Sequence, residues 1–207
     1  MEQGSESWFQ ARAGKATASR VGDIIARTKT GYSASRRNYC AELVVERLTG
    51  RKTQGFQNAH MLRGTELEPE ARATYSFTFD TDVTEVGFID HPTIPMAGAS
   101  PDGLIGLDGL LEIKCPAAAT HLDYLLSNDP PGEYQPQMAW QMACTGRAYV
   151  DFVSYHPDFP ERARLVVRRF HRNDAVITLL EADVREFLAE VDAKVAAVLQ
   201  AVEREAA

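Results

Sequence analysis

The chain has 207 residues, of which 44% are hydrophobic and 25% are charged, and its formal net charge is −7. These proportions are typical of an ordinary globular domain, and no apolar run approaches the roughly 18 residues that a membrane span requires. The length and composition therefore exclude a low-complexity or membrane-spanning chain and predict one domain, residues 1–207.

The charges are unevenly distributed along the chain. The first 72 residues carry 12 Lys and Arg against 8 Asp and Glu, whereas the remainder carries 10 against 21. A basic N-terminal third is compatible with DNA held in a groove or channel, although the counts alone are equally compatible with chance. The three cysteines form no Cys-x-x-Cys motif, and the polar N-terminus is unlike a secretory signal. We therefore expect reduced thiols and a cytoplasmic protein.

Helix-forming patterns dominate the first 80 residues. They predict three helices, at about residues 19–27, 35–48 and 61–77, separated by polar loops at 29–35 and 51–60. Thr17 or Ser19 is the N-cap candidate of the first helix. Ser35 is expected to cap the second helix, and Gly50 to end it.

The hydrophobic period then changes to that of strands and changes back to that of a helix at the end of the chain. Strands are predicted near residues 83–90, 94–99, 103–107, 110–115, 148–155 and 164–171. Helices are predicted at 117–127, 134–145 and about 174–204. This order predicts an α/β or α+β layer fold, with a mixed sheet flanked by helices.

The most informative segment is residues 100–116, with the sequence SPDGLIGLDGLLEIKCP. Its Asp108-Gly109 pair is a tight-turn signal, so the segment is interpreted as two short strands joined by a turn. Alternate residues of a strand share a face. We therefore expect Glu112 and Lys114 to point one way and Ile113 to point into a core.

These residue types suit phosphodiester cleavage. Mg²⁺ binds oxygen ligands and keeps several waters, so the carboxylates of Asp102 and Glu112 and the backbone carbonyl of Ile113 are candidate ligands. Lys114 can orient the attacking hydroxide or stabilise charge in the transition state. A Glu-x-Lys triplet alone is also common on solvent-facing strands, and only its combination with the flanking motifs makes it informative.

The pattern resembles the Asp…Glu-x-Lys nuclease superfamily, PD-(D/E)XK. Within it, the chain is similar to the lambda phage exonuclease family of alkaline exonucleases, or YqaJ-type viral recombinases. The matching motifs outside the hairpin are Glu2–Gly4, Trp8, Arg12, Gly14, Thr17–Ser19, Arg63–Glu68 with Ala71-Arg72, and Tyr134–Thr145. The resemblance implies a restriction-endonuclease-like α-β-β-β-α-β core with extra helices at both ends.

The same resemblance implies an activity, a cofactor and partners. Members of that family digest one strand of linear double-stranded DNA from a 5′ end, processively and with Mg²⁺, as ring-shaped homotrimers. We expect one or two Mg²⁺ ions, with Mn²⁺ as a substitute, and a single-strand annealing protein as the partner in recombination.

The resemblance also assigns roles to residues. Asp102, Glu112, Lys114 and Gln137 are the expected catalytic group, although Gln135 and Gln141 lie near enough in sequence to compete with Gln137. Glu68 is an additional metal ligand candidate.

Further residues are expected to bind the end of the DNA. The resemblance implies that Arg12 and Ser19 bind the 5′-terminal phosphate, a role that suits an arginine fork and a helix start, and Thr17 and Ser100 are further candidates. Met61 and Leu62 are candidates for a wedge that separates the strands, and burial of both side chains in the core is an equal alternative.

Two other functions use the same chemistry. One is an endonuclease of the superfamily, such as a restriction or junction-resolving enzyme, from which only the end-binding residues distinguish this chain. The other is a non-catalytic DNA-end-binding protein, which the presence of Asp102, Glu112 and Lys114 disfavours.

Overall fold

The computed structural model describes residues 1–53 and 59–205, apart from the side chains of residues 60 and 61. The helices of this part are α1 (Glu6–Arg12), α2 (Val21–Ile25), α3 (Ala34–Thr49), α4 (Ala59–Phe79), α5 (Ala118–Leu126), α6 (Gln135–Thr145) and α7 (Asp174–Glu205). The strands are β1 (Ala16–Thr17), β2 (Arg27–Thr28), β3 (Gly31–Tyr32), β4 (Val83–Thr84), β5 (Ile89–Asp90), β6 (Ala97–Ala99), β7 (Gly103–Ile105), β8 (Gly109–Lys114), β9 (Tyr149–Tyr155) and β10 (Leu165–His171).

A five-stranded mixed sheet runs in the order β10-β9-β8-β7-β4. Strands β8 and β9 are parallel, with Glu112 opposite Phe152, and the other neighbours are antiparallel. A parallel pair requires a long crossover, which α5 and α6 provide. The order α4, β4, β7, β8, the α5–α6 crossover and β9 is the α-β-β-β-α-β arrangement expected from the resemblance, and the predicted fold class is confirmed.

Helices cover both faces of this sheet. On one face α2, α3, α6 and α7 surround the larger apolar cluster, where Trp140, Phe152 and Phe187 are wholly buried. On the other face, Ala71 and Tyr75 of α4 pack over the smaller cluster. Burying one such large side chain stabilises the fold by about 1.5–3 kcal/mol, so both layers fix the position of β8 between them.

A second, three-stranded sheet joins the N-terminus to the segment that leads into β7. Strand β1 pairs in parallel with β6, which places Thr17 opposite Gly98, and β5 flanks β6 on its other side. The N-terminal residues therefore lie close to the chain that continues through Ser100 to Asp102.

The N-terminal third differs most from the sequence predictions. The predicted helix 19–27 is a 3₁₀ turn (Ala18–Arg20) followed by the five-residue α2, and α1 was not predicted. The β2–β3 hairpin begins at Arg27, the last residue of the predicted helix 19–27, and its second strand lies in the predicted loop 29–35. The N-cap of α3 is Ser33 and not Ser35. The Ser33 hydroxyl accepts from the backbone N–H of Arg36 at 3.3 Å. Gly50 ends α3 with φ 67°, as predicted.

The strand predictions need two corrections. The segment predicted as one strand at 83–90 is divided between the two sheets, because β4 pairs with β7 and β5 pairs with β6. The turn of the β7–β8 hairpin comprises Gly106–Asp108, since Ile105 pairs directly with Gly109. Gly106 has φ 49°, so it supplies the left-handed residue that the sequence assigned to Asp108-Gly109.

The other elements agree with their predictions to within two or three residues at each end. Cys40, Cys115 and Cys144 are free thiols. Among the described helices, none combines the length and the apolar character needed to cross a membrane.

Candidate active site

Strand β8 presents two charged side chains to α6. Glu112 is only 1% exposed, and Lys114 donates to its Oε1 atom. Leu111 and Ile113 point to the opposite face, into the cluster beneath α4. The predicted alternation is confirmed, and it places a carboxylate and an ammonium group side by side at the end of the strand.

Asp102 is fixed at the start of β7 by backbone contacts to β8. Its N–H donates to the Leu111 carbonyl at 3.0 Å, and its Oδ2 accepts from the Ile113 N–H at 2.6 Å. Because the N–H and C=O groups of one strand residue point to the same side, the Ile113 carbonyl lies on the edge of β8 that Asp102 occupies.

Two glutamines of α6 hold the Glu112 carboxylate. Gln137 Nε2 donates to Oε1 and Gln141 Nε2 donates to Oε2, both at 2.6 Å. The two glutamines are four residues apart and therefore share one face of the helix. Gln135 instead donates to the Pro130 carbonyl at 3.0 Å. The choice left open by the sequence thus falls on Gln137 and Gln141 together.

Glu68 lies on α4 at the border of this group. It accepts from Arg72 Nη2 at 2.7 Å, and Arg72 Nε donates to the Asp102 carbonyl at 3.2 Å. Arg72 also pairs with Glu85 at 2.8 Å. Arg72 therefore connects Glu68 to the Asp102 backbone and neutralises part of the charge that Glu68 brings.

The carboxylates of this site are crowded, and their proximity and burial shift the pKa values of three groups. Loss of hydration and the nearby Glu112 hold the pKa of Asp102 well above its usual range. Loss of hydration also raises the pKa of Glu68, against the opposing effect of Arg72. Burial alone would lower the pKa of Lys114, but the attraction of Glu112 and Asp102 outweighs it, so this pKa is raised. These shifts indicate a local excess of negative charge.

The donor set fits a hard divalent cation. Asp102 and Glu112 offer carboxylate oxygens and Ile113 a carbonyl oxygen, and a cation would relieve the excess charge. Within residues 1–53 and 59–205, no three His, Cys, Asp or Glu side chains are arranged to hold a metal by themselves. A cation here would therefore also need water or phosphate oxygens, and Glu112 would have to share its oxygens between the cation and its present donors.

A second group of predicted residues meets beside this site. Ser100 Oγ accepts from Trp8 Nε1 at 2.9 Å and from Arg12 Nη1 at 3.3 Å. The Arg12 guanidinium lies 4.0 Å from the centre of the Trp8 ring, and its buried Nε has no hydrogen-bond partner among residues 1–53 and 59–205. Burial lowers the pKa of Arg12. A desolvated cation with a spare donor is suited to receive an anion.

The other two phosphate candidates lie on the strand and turn that follow. Thr17 is 2% exposed, and its N–H donates to the Tyr39 hydroxyl at 3.1 Å. Ser19 is exposed on the 3₁₀ turn. Among the described contacts, Ser19 is not part of the hydrogen-bonded group formed by Trp8, Arg12 and Ser100.

The wedge candidates lie in the first turn of α4. Leu62 is 50% exposed and therefore accessible to a ligand. The side chain of Met61 lies outside the described residues.

Sequence reasoning missed part of the roles of two residues of this site. Gln141 was an alternative to Gln137, although their i, i+4 spacing is a signal that both share one face of the helix. Arg72 was noted only within a motif. Its contact with Glu68 is an i, i+4 pair within α4, a spacing that the sequence shows, whereas its contacts with Asp102 and Glu85 depend on the packing of α4 against the sheet.

The family model of the YqaJ-like viral recombinase domain matches residues 7–148 of the chain. This range contains Trp8, Arg12, Ser100 and all four residues predicted to be catalytic. No curated protein matches the chain significantly.

Solved structures are similar over nearly the whole chain. An alkaline exonuclease from Laribacter hongkongensis, LHK-Exo, is 50% identical, with a TM-score of 0.90 over 97% of this chain and 99% of that one. The same enzyme in complex with dAMP matches equally well. A phage-related exonuclease from Haemophilus somnus 129PT is 13% identical, with a TM-score of 0.74 over 89% and 96% of the two chains, and shows the shared fold alone.

Proposed function

This chain belongs to the YqaJ-like viral recombinase family, and from that premise we propose that it is a Mg²⁺-dependent 5′-to-3′ exonuclease on linear double-stranded DNA. The 50% identity to an alkaline exonuclease supports a nuclease of the lambda-exonuclease type. The proposal goes beyond this nuclease assignment in three respects: the metal, the polarity of digestion and the processive digestion of one strand.

One observation carries the end-dependent part of the proposal. Ser100 accepts from Arg12 and lies only two residues before Asp102, so at most about 7 Å of chain separates the two positions. A terminal phosphate held by Arg12 and Ser100 would place the next phosphodiester of the same strand near Asp102 and Glu112. That spacing favours release of mononucleotides, and the complex of LHK-Exo with dAMP is consistent with such a product.

The metal would be held by Asp102, Glu112 and the Ile113 carbonyl, with Glu68 as a further ligand if a second ion binds. Bound there, Mg²⁺ would supply acidification of water and compensation of phosphate charge, and Mn²⁺ is expected to substitute.

The protein groups have separate tasks in hydrolysis. The ammonium of Lys114 has three donors, of which one contacts Glu112, so the others can bind a phosphate oxygen or the attacking water. Gln137 lies less deeply buried than Gln141, and its amide can contact the substrate while it restrains Glu112. Attack of water on the phosphorus between the first and second nucleotides breaks the P–O3′ bond. The first nucleotide then leaves with its original 5′-phosphate and a new 3′-hydroxyl, and the remaining strand keeps the attacked phosphorus as its new 5′-phosphate.

The proposal extends to assembly and partners. A chain of 207 residues does not easily enclose a duplex, so processivity would require a ring, for which we propose the homotrimer. A single-strand annealing protein would take over the strand that digestion exposes. We propose that these steps occur in the cytoplasm.

The test is nucleotide release from linear duplex DNA that carries one 5′-phosphorylated end. Release with Mg²⁺ but not with EDTA, starting at the phosphorylated end and absent in Asp102→Ala and Lys114→Ala, is the expected result. Efficient cutting of covalently closed circles would make the protein an endonuclease. End binding without any release would make it a non-catalytic binding protein.

A further inference from the structure

The loop between α1 and β1 is held by side chains of α3. Gly14 has φ 69°, in the left-handed region, and this loop follows Arg12 directly. The Gly14 N–H donates to Glu46 Oε2 at 2.8 Å, and its carbonyl accepts from Arg47 Nε at 2.9 Å. Both backbone groups of Gly14 are therefore fixed by neighbouring residues of one helix.

A third α3 side chain extends the same contact. The Tyr39 hydroxyl donates to the Lys15 carbonyl at 3.2 Å and accepts from the Thr17 N–H at 3.1 Å. Tyr39 and Glu46 are seven residues apart and so lie on the same side of α3. We call Tyr39, Glu46 and Arg47 the loop clamp.

Glu46 is the unusual member of the loop clamp, because it is a carboxylate with only 1% exposure. Burying a charge is costly unless the charge is fully hydrogen-bonded. Its other oxygen accepts from Lys52 Nζ at 2.7 Å and from the Thr53 N–H at 2.9 Å. Glu46 thus satisfies three donors from two loops and fixes both to α3.

Glu46 acts on Arg12 without neutralising it. Within the described residues Arg12 forms no ion pair, although Glu46 is close enough to favour its charged form electrostatically. The loop clamp thus restrains the backbone beside Arg12, while the guanidinium has no carboxylate partner in the part of the chain that the structure describes. A phosphate can then meet a positioned cation.

We propose that Glu46 is a positioning residue that determines the preference for 5′-phosphorylated DNA ends. It does so by holding the Gly14 loop so that Arg12 stays against Trp8 and Ser100. This inference rests on the proposed function, because it assigns a cause to the end recognition proposed there.

The experiment compares kcat/KM on matched duplexes with 5′-phosphate and 5′-hydroxyl ends. In Glu46→Ala we expect the phosphate-to-hydroxyl ratio to fall about tenfold or more, because small displacements of a binding group have effects of that size. The loss should appear in KM for the phosphorylated end, with kcat on hydroxyl ends within about twofold of wild type.

Gly14→Ala tests the same loop from its other side. A Cβ at Gly14 would lie 2.7 Å from Arg47 Cγ, and alanine disfavours the left-handed backbone. The ratio should fall as it does in Glu46→Ala, and this second variant keeps the proposal testable if Glu46→Ala does not fold.

Asp151→Asn is the matched control, because it also perturbs a buried carboxylate. Asp151 is 2% exposed and binds Tyr75 and Arg169, away from the Gly14 loop. It should lower stability and leave the ratio unchanged. The positioning role alone would be overturned if Glu46→Ala and Gly14→Ala lowered kcat/KM equally on 5′-phosphate and 5′-hydroxyl ends, so that both kept the wild-type phosphate-to-hydroxyl ratio. A wild-type enzyme without any phosphate preference would instead overturn the proposed end recognition, and the inference with it.

Discussion

Asp102 is kept where its negative charge is unfavourable. It is largely buried, it lies near Glu112, and Lys114 is shared between the two carboxylates. Proteins tolerate such crowding at functional sites because a bound ligand or ion removes the cost. The metal-free protein should therefore gain stability if this charge is removed.

Asp102→Asn is expected to raise the stability of the metal-free protein and to lower its activity. The amide can still accept from the Ile113 N–H, so the free energy of unfolding in EDTA should rise by about 1 kcal/mol. Nucleotide release should fall by about 10³-fold or more, because a ligand for the cation is lost. Urea denaturation and single-turnover release measure the two effects, with the exposed Asp82→Asn as the control. A less stable Asp102→Asn protein would contradict the argument from charge.

Gln141 offers the second prediction for a single residue. Its Nε2 donates to Glu112, whereas its buried Oε1 has no hydrogen-bond partner among the described residues. Gln141→Met should lower the free energy of unfolding by about 1–3 kcal/mol, because the buried Glu112 Oε2 loses its donor and the removal of the unpaired Oε1 offsets that cost only in part. The rate of cleavage should fall about 10–100-fold, as is typical when a partner of a metal ligand is removed.

Gln135→Met is the matched control, since Gln135 binds the Pro130 carbonyl and not Glu112. Steady-state release from the phosphorylated linear duplex is the measurement for both variants. If Gln135→Met lost as much activity as Gln141→Met, the effect would belong to the stability of α6 and not to the position of Glu112.

Among the elements, the β7–β8 hairpin carries the largest part of the site. Its turn is capped by Arg147, whose Nη1 donates to the Gly106 carbonyl at 3.0 Å and to the Gly109 carbonyl at 2.7 Å. Gly109 begins β8 directly against the Tyr149 ring, in space that a Cβ would occupy. The packing of β8 against β9 therefore requires a glycine at position 109. This packing explains the glycine better than the tight turn that the Asp108-Gly109 pair predicts.

Gly109→Ala should destabilise the fold by about 1–3 kcal/mol, because the added methyl group forces Tyr149 or the start of β8 to move. Thermal unfolding should show a lower Tm, and activity should fall because β8 carries Glu112 and Lys114. Gly22→Ala in α2 is the control, since a Cβ there meets nothing within 4 Å. Unchanged stability in Gly109→Ala would mean that the Tyr149 ring can give way without cost.

At the scale of the whole molecule, the uneven charge of the sequence does not become a simple basic surface. Arg36 pairs with Glu190 and Arg47 with Asp192, so α7 supplies acids to the basic residues of α3. DNA binding would therefore depend on local sites such as Arg12, and the net charge of −7 would oppose non-specific coating of duplex DNA.

The assembly gives the last prediction. If the proposed ring forms, light scattering should give a mass of about 69 kDa, three times the 22.9 kDa of one chain. The same preparation should degrade one long duplex extensively before starting on another, since a closed ring dissociates slowly. A 22.9 kDa particle that releases its substrate after each nucleotide would contradict both the trimer and the processivity.

The sequence predicted the fold class and the Asp102–Glu112–Lys114 group because these depend on short-range patterns. Strand alternation fixes the faces of Glu112 and Ile113, and the long apolar repeat of α7 fixes a helix whatever its neighbours are. Short elements were predicted poorly. The five-residue α2 is too brief for a periodic pattern. The form of the 83–90 segment is set by the strands with which its two halves pair, β7 and β6.

By itself, then, the sequence determined which residue types are present and which faces of regular elements they occupy. Only the tertiary structure decided which of these residues meet. The two glutamines on Glu112, the contact of Arg12 with Ser100 and the hold of Glu46 on Gly14 join residues 25 to 88 positions apart. Such contacts form because separate helices pack on the two sheets, and no local pattern encodes the distance between helices.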